Sequence, residues 1–129
     1  MPWVQGVFVM TGEYSVPRAR AEIISSDLLD MTVTVLKTLS DPLRLQMLWA
    51  LCDRDLTLSE LAQLIGVSPT VAGQLLSRMR TAGVLQTEKS GRHVIYSMHD
   101  ELSRQFIRQT LDFAAHRLEL QGASDSTED

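Results

Sequence analysis

One cysteine, Cys52, is all the chain has, so no disulfide forms within it and no multi-cysteine metal site can be built. Aromatic residues make up only 5% of the composition, and no apolar run approaches the ~18 residues of a membrane-spanning helix. Basic charge is in deficit as well: 12 Lys and Arg stand against 16 Asp and Glu, a net charge of -4. That excludes a uniformly basic coat for nucleic acid and leaves room for a local basic patch. Chemistry is scarce too. There is no glycine-rich phosphate loop, no Ser/His/Asp or Cys/His arrangement, and no pair of carboxylates in an evident cleft, so the sequence is not that of an enzyme. No cofactor and no membrane partner are expected. A single thiol fits a reducing cytoplasm.

What is present is enough for one core. The 129 residues are 44% hydrophobic, ample for a domain without disulfide or metal staples. Residues 1–17 form an arm of little defined pattern. The opening MPWVQGVFVM is apolar but carries no basic side chain, so a secretory signal is not expected. Residues 18–120 hold the folded pattern. Residues 121–129, polar and acidic, read as a disordered tail.

Within 18–120 the periodicity predicts helices and one hairpin. Ile23, Ile24, Leu28, Met31, Val35 and Leu39 recur at helical spacing over about Arg18–Leu39. Pro42 opens a second helix to about Cys52, with Leu43, Met47, Leu48 and Leu51 on one face. Thr57, with Glu60 three residues on, is a capping box, and Gly66 is placed to end that helix in a left-handed turn. Ser68-Pro69 starts another helix, which turns Val71, Leu75, Leu76 and Met79 inward and stops at Gly83. Strand-like Val84–Glu88 and His93–Met98 flank a hairpin tip at Lys89–Arg92. A last helix, about Glu101 to Leu120, carries a stripe of Leu102, Phe106, Ile107, Leu111, Ala114 and Leu118.

A short capped helix, a glycine turn, a second capped helix and a hairpin follow one another within about 40 residues. That is a winged helix-turn-helix, mainly α with a small β-hairpin. Charge supports it. Residues 61–97 hold four basic residues, Arg78, Arg80, Lys89 and Arg92, against the one acid Glu88, a balance of +3, while the rest of the chain carries -7. The sign reverses where phosphate contact is needed. Ser68, Thr70, Gly73, Gln74 and Ser77 face outward on the second helix. Gln can read an adenine edge, Ser and Thr reach phosphates or bases, and Gly73 permits close approach. With His93 at the strand start, these residues are the candidate DNA contacts.

The stretch from LKTLSDPLRLQML through LSELAQLIGVSPTVAGQLLSRMRTAGVL to GRHVIYSM resembles the ArsR/SmtB-type winged-helix repressors over roughly residues 33–118. The resemblance implies a homodimer joined by its first and last helices, operator binding by reading helix and wing, and release by an effector. It also locates departures. Many members have Ser-His where this chain has Gly73-Gln74. The thiolate positions of one sensor class fall on Thr57 and Ser59, and the last-helix ligands of another fall on Asp100, Leu102, Phe113 and His116. Only Asp100 and His116 retain ligand chemistry, too few for a closed zinc site within a chain. The alternatives are a winged-helix module that binds another protein without specific DNA binding, and a multidrug-type regulator of the same fold. Cys52 reads as a small buried hydrophobe, and Trp49, Phe106 and Phe113 as core or dimer-interface aromatics.

Overall fold

A computed structural model describes residues 3–4, 7–8, 16–17 and 23–127 of the chain. The chain divides into two compact units, Met1–Asp41 and Pro42–Asp129. Most of the expected N-terminal arm lies outside the described residues.

In the first unit, β1 (Trp3–Val4) pairs antiparallel with β2 (Val7–Phe8), and α1 spans Ser26–Leu39. Helix α1 begins later than periodicity suggested. Ile23, Ile24 and Ser25 are not helical, and the expected start at Arg18 lies outside the described residues. The boundary is set by Ser25, whose hydroxyl accepts from the Leu28 N–H at 3.4 Å. Ile23 is 90% exposed and Met31 is exposed, so the anticipated stripe is only partly buried in the chain.

The second unit is α2 (Pro42–Leu51), β3 (Leu56–Thr57), α3 (Leu58–Ile65), α4 (Pro69–Thr81), β4 (Leu85–Ser90), β5 (His93–Met98) and α5 (Glu101–Thr127). Its core gathers Met47, Leu48 and Leu51 from α2, Leu61 from α3, Leu76 and Met79 from α4, and Ile107 from α5. Leu85 and Met98, opposite each other in the hairpin, close it from the sheet side. The sheet has three antiparallel strands in the order β3-β5-β4. The short β3 has too few residues for an alternation to show in the sequence, and it pairs Leu56 with Tyr96.

Capping accounts for the helix-turn-helix. Thr57 and Glu60 form the reciprocal box, with the Thr57 N–H donating to Glu60 Oε1 at 3.0 Å and the Glu60 N–H donating to Thr57 Oγ1 at 3.2 Å. Those bonds hold the Glu60 carboxyl below its ordinary pKa. Gly66 ends α3 at φ 82°, a left-handed conformation that favours glycine, and its N–H donates to the Ala62 carbonyl. Ser68 then caps α4 by accepting from the Val71 N–H at 3.2 Å, with Pro69 in the first helical turn.

Three other expectations change. Leu43 is exposed while Arg44 is buried, and Val71 is exposed while Ala72 is buried, so near the start of both helices the next residue takes the inward place, although Met47, Leu48, Leu51, Leu76 and Met79 are buried as expected. The hairpin is tighter than a four-residue tip. Ser90 pairs with His93 and only Gly91 and Arg92 turn the chain, with Gly91 at φ 62°. Helix α5 runs to Thr127, through most of the residues read as an acidic tail; Glu128 and Asp129 lie outside the described residues. Nothing before Thr127 stops it, for there is no proline and Gly122 keeps a helical backbone.

Candidate nucleic-acid interface

Helix α4 presents two chemically distinct sides. At 100° per residue, Ala72, Leu76 and Met79 share the buried side, and each is 0% exposed. Thr70, Gln74 and Ser77 lie on the opposite, exposed side. Arg78 and Arg80 flank that line on its two edges, both exposed. The outward face is therefore uncharged and hydrogen-bonding at its centre and cationic at its margins. Such a face carries donors and acceptors for base edges between two phosphate-seeking side chains.

Two of the candidate residues stand apart. Ser68 is exposed, but its hydroxyl oxygen already accepts from the Val71 N–H, so it acts as the helix cap first. Gly73 is half-buried and turned toward α3, where an added Cβ would sit 3.7 Å from Leu58 Cδ1. Packing therefore does not force a glycine there. One residue on the outward line escaped the sequence reading: Thr81, exposed, whose hydroxyl donates to the Ser77 carbonyl at 3.0 Å. Its i+4 spacing from Ser77 was the available signal.

The hairpin supplies the remaining candidates. Lys89 lies on β4 opposite Val94, Arg92 sits in the turn, and His93 opens β5 opposite Ser90; all three are exposed. Successive strand residues point to opposite faces, so the carboxylate of Glu88 leaves from the other face of the ribbon than Lys89. The one acid of this segment is thus kept off the lysine's side.

Asp100 is engaged at the start of α5. Its Oδ1 accepts from the Ser103 N–H at 2.8 Å and the Ser103 hydroxyl at 2.9 Å, and His99 Nδ1 lies 3.2 Å from Oδ2. Partial burial works to raise the carboxyl pKa, but the bonds from Ser103 and His99 outweigh it and leave the group below its ordinary value. His116 is exposed on α5 sixteen residues further on, about 24 Å at the helical rise. The two do not meet within a chain, and among the described residues no three His, Cys, Asp or Glu converge as a metal site. Cys52 is buried, and that burial pushes its thiol pKa up. Beside it on α2, Trp49 is half-exposed and borders an apolar groove of about 460 Å³ with Leu45 and Leu111.

Comparison with known proteins places this arrangement. The profile of the family described as "Bacterial regulatory protein, arsR family" matches residues 41–87, from the start of α2 into β4. The HTH-type transcriptional regulator KmtR of Mycobacterium tuberculosis is 30% identical over 93 residues, which span 72% of this chain and 72% of KmtR. The biofilm growth-associated repressor of Xylella fastidiosa is 29% identical over 73 residues, 57% of this chain and 64% of that protein. Among solved structures, the homodimeric winged helix-turn-helix DNA-binding domain of Mb0332 from Mycobacterium bovis aligns with a TM-score of 0.71 at 24% identity. It covers 73% of this chain and 87% of that one, a likeness of fold.

Proposed function

The chain belongs to the arsR family of bacterial regulatory proteins and is a DNA-binding transcriptional regulator, and we propose that it works as a homodimeric repressor of its own and neighbouring genes, released by an effector. The observation that carries the DNA-reading part is the outward side of α4, with Thr70, Gln74 and Ser77 uncharged between Arg78 and Arg80, in a stretch of net charge +3 within an acidic chain. In this reading two such helices enter successive major grooves of a near-palindromic site, about 34 Å apart. Lys89, Arg92 and His93 on the hairpins grip flanking phosphates. Ser68 holds the helix start, and Gly73 lets the backbone come close. Self-association is supported by apolar side chains left exposed in the single chain, Leu29 and Leu36 on α1 and Phe106, Phe113 and Leu118 on α5. A repressor acts in the cytoplasm, and no described helix is long and apolar enough to cross a membrane.

The test is a titration of the purified protein against its own promoter DNA over random competitor, alone, with EDTA, and with zinc, nickel or cobalt. Specific binding indifferent to metal is expected, because Asp100 caps α5 and His116 stands apart from it. Binding released by one metal would mean that the dimer completes a ligand set from these residues. Absence of specific binding in every condition would turn the assignment toward a protein-interaction module.

A further inference from the structure

Val71 is a side chain that neither the core nor the reading face as described accounts for. It is 40% exposed, the one large apolar side chain of α4 that is, whereas Leu76 and Met79 are fully buried. A β-branched residue is also a poor choice for an exposed helical position on propensity alone. Its place on the helix suggests another use. Val71 precedes Gln74 by three residues and Arg78 by seven, so the three share one edge of the outward side, with a Cβ separation of about 5–6 Å between the first two. Adjacent base pairs are 3.4 Å apart along the duplex. An apolar group and a carboxamide so spaced address the same base pair or two neighbouring ones.

We propose that Val71 and Gln74 together read an A·T-containing step in the operator half-site, Gln74 by hydrogen bonds to adenine and Val71 by packing its methyls on the thymine 5-methyl group. The proposal rests on the DNA-reading function above and adds the base chemistry that the site selects. The chemistry is specific. The carboxamide N–H donates to adenine N7 while its oxygen accepts from the adenine N6 amino group, and thymine alone offers a methyl group in the major groove. Arg78, two turns after Val71 on the same edge, is left for the phosphate that borders that step. The polar line of Thr70 and Ser77 then serves the adjoining pairs.

The experiment selects binding sites for the full-length protein from a randomised DNA library, then measures affinities on the selected site with each thymine replaced in turn by uracil, which removes only the 5-methyl group. For the wild-type protein one uracil per half-site should weaken binding about fourfold, the value of one buried methyl-sized group. The same replacement should cost Val71→Ala nothing, since its partner on the protein is already gone. Gln74→Ala should lose on the order of tenfold in its preference for adenine at the same or the neighbouring pair. Both variants change exposed positions, and the uracil series leaves the protein untouched, so folding does not confound the comparison. The proposal is overturned if no uracil affects the wild type, or if Val71→Ala suffers the same loss. Enrichment of no sequence at all would remove the DNA-reading function itself, and this proposal with it.

Discussion

Replacing Gly73 by alanine should make the protein more stable and a weaker DNA binder, a combination that separates helix energetics from recognition. Gly73 lies in the interior of α4 with a helical backbone, since among the described residues the glycines with positive φ are Gly66, Gly83 and Gly91. Glycine there costs about 1 kcal/mol relative to alanine, because its unfolded backbone has more freedom to lose. The nearest atom to an added Cβ is Leu58 Cδ1 at 3.7 Å, an ordinary van der Waals distance, so no strain offsets that gain. The expected net effect is about +1 kcal/mol, or a rise in Tm of roughly 3–6 °C for a chain of this length. Thermal denaturation must compare the two proteins at equal concentration, because dimerisation makes Tm concentration-dependent. If the glycine exists to let α4 approach the groove, operator affinity should fall by about tenfold, the scale of one disturbed base pair. An unchanged or lowered Tm would refute the reasoning about space beside Leu58. A raised Tm with unchanged affinity would refute the close-approach role and leave Gly73 without one.

Arg92→Ala should weaken binding equally on all sequences and reduce the slope of log affinity against log salt by about one unit, as loss of a single phosphate contact requires. An unchanged slope would detach the hairpin turn from DNA. Asp100→Ala should cost about 0.5–1 kcal/mol of stability at neutral pH by removing the acceptor for Ser103. Because the folded Asp100 carboxyl lies below its ordinary value, that contribution is present above the unfolded pKa and is lost as pH falls through the folded one. Urea midpoints of mutant and wild type should therefore converge in acid, and a constant difference would disprove the linkage. Cys52, buried with its pKa raised, should react with iodoacetamide far more slowly in the native protein than in urea. Equal rates by mass spectrometry would show an accessible thiolate.

The parts of this fold that could be read from sequence are those written in single residues with one conformational use. Thr57 and Glu60, Gly66, and Ser68-Pro69 fix the start of α3, its end and the start of α4, and each appears where its capping chemistry dictates. The parts that could not be read depend on what lies across from a residue. Periodicity says which side chains share a face, but the centre of that face is set by the neighbouring elements. Hence Arg44 is inside and Leu43 outside on α2, and Ala72 is inside and Val71 outside on α4. The two-residue β3 exists only through its partner β5, and α5 continues to Thr127 although its last residues have little to bury. For the site the same division has a consequence. The outward position of Gln74 follows from spacing, whereas hydrophobicity alone points its apolar neighbour Val71 to the core, and the structure leaves it exposed. On a helix that enters a groove lined with thymine methyl groups, an apolar side chain has a second place to be buried. Exposure of Val71 in the free protein is then what a reader of that surface requires.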